Sequence, residues 1–180
     1  MASSDDKPWV RSHALLITLT TARVVTTIGG LLALYYLLPL DSEATWLVVT
    51  TLVIGLVALI GLVIFHVRRI LTSPRPFSRA VEALSTNIPF FLLLFAATYF
   101  ALERLSPGNF SEHLTRTDSL YFTVTVFSTV GFGDITPKTE LARLLVTGQI
   151  VADVLFIGIA IKLIVSTARS RLLSAGVSAD

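Results

Sequence analysis

The chain has 180 residues, of which 53% are hydrophobic and 14% are charged, and its formal net charge at pH 7 is +2. This composition, with a mean hydropathy of +0.78, indicates an integral membrane protein rather than a soluble globular one. The small net charge argues against nucleic acid as a partner. The chain contains no cysteine, which excludes disulfides and thiol metal sites. The polar N-terminus is not expected to be a secretory signal, because the apolar run behind it is too long and lacks a small-residue cleavage site.

Four apolar stretches are long enough to cross a bilayer, which takes about 20 residues of α-helix. They cover residues 14–38, 44–67, 88–105 and 141–165. The third helix is predicted to begin earlier, near Phe77, with its polar first turns in water. The sequence therefore predicts an all-α membrane protein with four transmembrane helices.

Pro74 and Pro76 mark a boundary inside the chain, because each proline interrupts a helix and restricts the residue before it. We predict an N-terminal domain, residues 1–73, made of two transmembrane helices whose role the sequence does not indicate. The second predicted domain covers residues 74–180. Arg23 lies inside the first apolar stretch and is interpreted either as a weakly voltage-sensing charge or as a structural arginine that pairs or snorkels.

Charge placement predicts the orientation in the membrane. The turn at residues 39–45 contains two acidic residues and no lysine or arginine, whereas the segment 68–79 and the C-terminal tail are basic. The residues concerned are Asp41 and Glu43 in the turn, and Arg68, Arg69, Arg75, Arg79, Arg169 and Arg171 elsewhere. The positive-inside tendency places both termini and the segment 68–79 in the cytoplasm. We expect a multi-pass protein of the plasma membrane.

A shorter segment, residues 117–128, lies before the last apolar stretch and cannot cross the bilayer. Thr117, Asp118 and Ser119 are favourable helix N-cap residues. As a helix, the segment would extend roughly 16 Å, about half of the hydrocarbon thickness. Its β-branched threonines and valines, taken alone, are equally compatible with a strand.

The next six residues, Thr129-Val130-Gly131-Phe132-Gly133-Asp134, are too polar and too rich in glycine for a membrane helix. Two alternating glycines let the backbone adopt conformations that other residues resist. Such a strand can point successive carbonyl oxygens toward one axis. Non-helical backbone at membrane depth is tolerated only where it is buried in protein or lines a water-filled path.

This hexapeptide, preceded by a Thr/Ser-rich segment and flanked by two membrane spans, resembles the selectivity filter of the potassium-channel family. The resemblance covers roughly residues 88–165 and implies that residues 117–128, with Thr125 and Ser128, form a pore helix that enters from outside and stops midway. It also implies that K+ binds the backbone carbonyls of residues 129–133, chiefly those of Thr129, Val130, Gly131 and Phe132, as the permeant ion. Phe132 stands where tyrosine is commoner and cannot donate a hydroxyl hydrogen bond.

The family resemblance further implies a homotetramer in the lipid bilayer, because one chain supplies one filter strand and four are needed around the ion. No cofactor other than the permeant K+ is implied, and no regulatory partner is identified. Asp134 is predicted either to form an acidic ring at the outer mouth or to accept a hydrogen bond behind the filter.

The last apolar stretch lines the pore by the same resemblance. Its candidate inner-pore residues are Gln149, Asp153 and Ile157, of which the first two share a helix face. Asp153 either faces the cavity, where four carboxylates would concentrate cations, or faces the pore helix as a hydrogen-bonded structural group. Gly148 and Gly158 are the candidate hinge positions.

The predicted function is passive, K+-selective conduction. The three histidines are scattered and no catalytic constellation is present, so we do not expect an enzyme. We expect neither a voltage sensor, which needs several regularly spaced arginines, nor a ligand-binding domain in the short tail. The alternatives are a weakly selective cation channel, a membrane subunit of an ion-uptake transporter, and a non-conducting accessory protein.

Overall fold

The computed structural model describes residues 8–40, 44–73 and 76–176. Over these residues the chain forms five helices and no strand, apart from an isolated antiparallel bridge between Phe110 and Pro137. The helices are α1 (Pro8–Leu37), α2 (Thr45–Leu71), α3 (Pro76–Leu105), α4 (Arg116–Phe127) and α5 (Glu140–Gly176). The predicted all-α class is confirmed for this part of the chain. The orientation signals at Asp41, Glu43 and Arg75 lie outside the described residues.

Three of the described helices are long and apolar enough to cross a membrane, over Thr45–Ile70, Arg79–Leu105 and Glu140–Ile159. They correspond to the second, third and fourth predicted stretches. In α1 the described apolar segment is Thr21–Leu37, which is shorter than a full span. A fourth crossing through α1 therefore stays a prediction.

The start of α3 at Pro76 extends that helix well before its apolar part, close to the predicted early start near Phe77. Proline is favoured at the first helical position, where its missing N–H would have no partner in any case. Pro89 lies inside the same helix, and the helix continues through it.

The middle of the fold is α3, which contributes to both hydrophobic clusters found among the described residues. On one side its small residues Ala96, Ala97 and Ala101 pack with residues from α1 and α2, including Tyr35 and Val48. On the other side Tyr99 and partly buried neighbours pack with residues of α4, α5 and the loops; these are Phe110, Leu114, Phe122, Ile135, Ala142 and Val146. The N-terminal helices thus lie against the α3 of their own chain.

The loop between α3 and α4 is fixed by a buried carboxylate. Glu103, at the end of α3, is 2% exposed. Its two oxygens accept hydrogen bonds from the backbone N–H groups of Gly108 at 2.9 Å and Phe110 at 3.1 Å. Backbone bonds from Ser111 N to Thr136 O at 2.9 Å and from Lys138 N to Asn109 O at 2.7 Å tie this loop to the segment before α5. The loop is therefore fixed against the segment that follows the hexapeptide.

Candidate functional site

The short helix α4 has 12 residues, about 18 Å at the usual rise per residue. Its N-cap is Thr115, whose backbone N–H donates to Asp118 Oδ2 at 3.0 Å while Asp118 N donates to Thr115 Oγ1 at 3.2 Å. This reciprocal pair is a capping box. The predicted N-cap at residues 117–119 was wrong by two residues, because the carboxylate of Asp118 works from the third helical position rather than as the cap itself.

The end of α4 binds the backbone of the hexapeptide. The carbonyl oxygen of Thr125 accepts hydrogen bonds from the N–H groups of Val130 at 3.1 Å and Gly131 at 3.2 Å, and from the hydroxyl of Ser128 at 3.2 Å. Thr129 N donates to Val126 O at 2.9 Å. The carbonyl groups of Thr125 and Val126 thus hold the first half of the hexapeptide by its amide groups, while Ser128 binds Thr125.

Every second residue of this segment has a positive φ: 58° at Thr129, 52° at Gly131 and 80° at Gly133. Glycine adopts such angles at little cost, but a β-branched threonine does not, and strain of about 1–3 kcal/mol is typical of such positions. A backbone that alternates between left-handed and other conformations turns its N–H groups to one side. The hydrogen bonds from this segment to α4 accordingly come from its N–H groups.

No hydrogen bond reaches a carbonyl oxygen of residues 129–133 from any described residue. The side chains of Val130 and Phe132 are 54% and 69% exposed in the single chain. The segment thus presents a row of free carbonyl oxygens and two apolar side chains on the surface of one copy.

Tyr121 of α4 supports the outer end of the segment. Its ring stacks on that of Phe132, with 6.3 Å between centroids and 6° between planes. Its hydroxyl donates to Asp134 Oδ2 at 2.7 Å, and Ile135 N donates to Asp134 Oδ1 at 2.9 Å. The hydrogen bond from Tyr121, followed by that from Ile135, lowers the pKa of Asp134. In the single chain Asp134 is therefore hydrogen-bonded to α4 rather than free.

Gln149 of α5 joins three helices at the inner side of α4. It is fully buried, its side-chain oxygen accepts from the Tyr99 hydroxyl at 2.7 Å, and its amide donates to Thr123 O at 3.1 Å and to Asp153 Oδ2 at 3.3 Å. Asp153 is 3% exposed, and its Oδ1 has no partner among the described residues. In the single chain both side chains are buried, and the partners of Gln149 lie on α3, α4 and α5. A role for Gln149 and Asp153 in an inner pore stays a prediction.

The other predicted positions on α5 are less constrained. Ile157, two turns beyond Gln149, is 38% exposed. The helix continues through Gly148 and Gly158, and a Cβ added at either would meet no atom within 4 Å. A hinge at these glycines stays a prediction.

Three residues of the site, Tyr99, Tyr121 and Thr123, were not identified from the sequence. Their contacts join different helices, and no spacing rule reveals them. The available signal is that a tyrosine in an apolar helix needs a partner for its hydroxyl when it is buried. The sequence did not indicate that Gln149 and Asp134 are those partners.

We predict that Tyr121→Phe lowers the thermal midpoint at neutral pH and makes the midpoint less dependent on acid pH. A carboxyl with a lowered pKa stabilises the fold above its ordinary pKa, and this contribution is lost as the pH falls through the lowered value. Without the tyrosine hydroxyl the pKa of Asp134 rises toward its ordinary value. Less stability is then present at neutral pH, less is lost as the pH falls, and the difference from the unmodified protein shrinks in acid. Thermal midpoints recorded from neutral to acidic pH test this, with Asp134→Asn as the control that lacks the titration. Superimposable pH profiles of Tyr121→Phe and the unmodified protein would contradict the assignment.

We also predict different effects on stability for two substitutions on α5. Gln149→Leu leaves the buried hydroxyl of Tyr99 without an acceptor, a loss of about 1–3 kcal/mol, and should lower the thermal midpoint. Adding Tyr99→Phe should restore part of the loss, because both partners are then apolar. Asp153→Asn removes a carboxyl with one unpaired oxygen and should not lower the midpoint. Equal midpoints for Gln149→Leu and the unmodified protein would refute the role given to Gln149.

Comparison with known proteins gives a consistent result. A model of the ion channel family matches residues 88–170. The chain is 37% identical over 98 residues to the voltage-gated potassium channel Kch of Escherichia coli, an alignment that covers 53% of this chain and 23% of that protein. It is 34% identical over 84 residues to two pore potassium channel b of Oryza sativa subsp. japonica, covering 47% of this chain and 23% of the relative. No solved structure matches.

The match to a viral relative is more complete. The chain is 37% identical over 78 residues to the potassium channel protein kcv of Paramecium bursaria Chlorella virus 1, covering 38% of this chain but 83% of that protein. It spans only about a quarter of the length of the bacterial and rice relatives. All three relatives are named as potassium channels, not as enzymes. Since most of a small potassium channel is matched at this identity, and the family model includes the hexapeptide, the chain belongs to the potassium-channel family.

Proposed function

We propose that four copies of this chain form a K+-selective channel that conducts potassium passively across the membrane. Residues 129–133 of each copy supply one quarter of the selectivity filter. The observation that carries this proposal is the row of carbonyl oxygens at these residues, which have no hydrogen-bond partner among the described residues although the amide groups of Thr129, Val130 and Gly131 are bound to α4.

Free carbonyl oxygens suit a cation that must lose its water. In potassium-channel filters, rings of backbone carbonyls replace the hydration shell of the ion, and several sites in file let ions leave by mutual repulsion. Five residues at about 3 Å each provide a path of roughly 15 Å. The Thr129 hydroxyl is proposed as the innermost ligand. The partial negative charge at the C-terminal end of α4 favours a cation at that end of the path.

A homotetramer is supported by what one copy leaves exposed. Val130 and Phe132 expose apolar side chains beside the free carbonyls, and α5 exposes Val151, Val154 and Leu155 by 56%, 63% and 63%. Exposed apolar surface of this kind is typical of surfaces that contact protein or lipid. One chain carries one filter strand, and a ring around an ion needs several. Fourfold assembly places each strand beside two neighbours and encloses these side chains.

The proposed layout has four membrane crossings, by α1, α2, α3 and α5, with α4 as a re-entrant pore helix. At about 18 Å, α4 reaches only part of the way through a hydrocarbon core of about 30 Å. Residues 1–73 form the N-terminal pair and residues 74–180 the pore domain. Both termini lie in the cytoplasm, which puts the filter loop on the outside of the plasma membrane. K+ is the permeant ion, and no other cofactor is proposed.

Purified protein in liposomes tests the selectivity. We expect K+ and Rb+ to move through the unmodified protein much faster than Na+. Gly131→Ala should abolish this difference, because alanine at φ 52° is strained by about 1–2 kcal/mol in each copy. The matched control is Gly61→Ala, in open space on α2, where alanine is the better helix former. Na+ flux equal to Rb+ flux would indicate a weakly selective cation channel. A complete lack of flux would indicate an accessory or transporter subunit, and a monomer in mild detergent would exclude the tetramer.

The proposed channel has no intrinsic voltage sensor in its described helices. Arg23 is the single basic residue within the apolar segment Thr21–Leu37 of α1, and the basic residues of α2, Arg68 and Arg69, lie in its last turn. Voltage sensors use three or four charges per subunit, each worth about 2.3 kcal/mol per 100 mV. We therefore expect the open probability in planar bilayers to change little with voltage, and equally so in Arg23→Gln. A steep conductance–voltage relation that Arg23→Gln flattens would show the opposite.

A further inference from the structure

The C-terminal end of α1 and the N-terminal end of α4 are joined by hydrogen bonds between residues 78 or 81 apart in sequence. The Tyr35 hydroxyl donates to the Arg116 carbonyl oxygen at 2.7 Å. In the opposite direction, the Arg116 guanidinium donates to the carbonyl oxygens of Tyr35 at 2.6 Å and Leu38 at 2.8 Å. A contact between the hydroxyls of Tyr36 and Thr117 at 3.1 Å lies beside them. We call these five residues the α1–α4 brace.

A proline explains why α1 needs this arginine. In a continuing helix the Tyr35 carbonyl would accept from the N–H of residue 39, but residue 39 is proline and has no N–H. Arg116 supplies the missing donor, and its positive charge is favourable at a helix C-terminus. Its planar guanidinium can reach two carbonyl oxygens at once, which a lysine cannot do in the same way.

The brace is enclosed by α3. Tyr35 is 1% exposed, and the Arg116 guanidinium carbon lies 5.1 Å from the centroid of the Phe100 ring. A cation over an aromatic ring is attracted to it, and more strongly when water is excluded. The first residue of α4 is therefore held both by α1 and by α3.

The position of the first residues of α4 affects the backbone that its last turn holds. The helix is a single rigid element of 12 residues, and the carbonyl of its Thr125 holds the amides of Val130 and Gly131. A change in the position or tilt of the α4 N-terminus therefore reaches the backbone of residues 129–133 through this carbonyl.

We propose that Tyr35 and Arg116 are positioning residues for the filter, and that one role of the N-terminal helices is to hold the pore helix through the α1–α4 brace. The predicted effect of the brace on conduction rests on the proposed function. Its predicted effect on the backbone of residues 116–133 does not.

Two measurements on the full-length protein in liposomes test the proposal: ion flux, and amide hydrogen exchange followed by mass spectrometry. Arg116→Gln removes the guanidinium that donates to the carbonyl oxygens of Tyr35 and Leu38. Tyr35→Phe removes the hydroxyl that donates to the Arg116 carbonyl oxygen. We expect Arg116→Gln to accelerate exchange across residues 116–133 by roughly tenfold, the change typical of losing a hydrogen bond to a charged group. Tyr35→Phe should have a smaller effect, and Arg116→Lys should fall between Arg116→Gln and the unmodified protein.

Conduction should change in the same order, with a lower K+ flux and a higher ratio of Na+ to K+ flux in Arg116→Gln. The matched control is Arg79→Gln, which removes another arginine whose guanidinium binds Glu82 at 2.8 Å far from α4, and it should match the unmodified protein in both measurements.

The outcomes separate the inference from the proposed function. If the unmodified protein conducts K+ selectively and Arg116→Gln does so equally, with unchanged exchange at 129–133, the positioning role is overturned. If exchange accelerates only in the last turn of α1, the arginine merely caps that helix and the positioning role is again overturned. If the unmodified protein does not conduct, the proposed function fails, while accelerated exchange at residues 129–133 in Arg116→Gln still supports the brace and unchanged exchange still refutes it.

Discussion

The C-terminal half of this protein is organised around the backbone carbonyl groups of residues 129–133, which have no hydrogen-bond partner among the described residues. A backbone carbonyl removed from water without a partner costs several kcal/mol, and residues 129–133 place five in succession between two helices of membrane-spanning length. The N–H groups of residues 129–131 do not pair with these carbonyl oxygens, because they are hydrogen-bonded to the end of α4. The proposed cation path rests on this row of oxygens without partners. The strained φ of Thr129 shows that the surrounding structure imposes this backbone.

Around these free oxygens, most other polar atoms are paired. The outer end is held by Tyr121 through Asp134 and by stacking on Phe132. The first half is held by Thr125. Below it, Gln149 occupies a position where Tyr99, Thr123 and Asp153 all reach its amide group. Paired polar groups in a low-dielectric surrounding are rigid, because breaking any one leaves its partner unsatisfied. The backbone of residues 129–134 is thus supported by α4, which Gln149 joins to α3 and α5. Asp153 Oδ1 is the exception within the described chain.

The N-terminal helices contribute to the same arrangement through α3. The small residues on one face of α3 let α1 and α2 pack closely, while the opposite face packs on α4 and α5. Arg116 lies where α1, α3 and α4 meet, and its guanidinium contacts the first two of these helices. One side chain therefore connects the N-terminal helices with the part of the chain that the ion channel family model matches.

The features that could be predicted from the sequence are local ones. The apolar lengths of α2, α3 and α5 indicate membrane helices, since crossing a bilayer is a matter of residue count. The alternating glycines at 131 and 133 indicate alternating backbone conformations, since glycine alone adopts them without strain. The spacing of Gln149 and Asp153 puts them on one helix face. The direction of that face, the partners of Asp134 and Glu103, and the joining of Tyr35 to Arg116 are visible only in the folded chain. Each of them depends on which helices become neighbours, and packing between segments distant in sequence leaves no periodic pattern within any one of them.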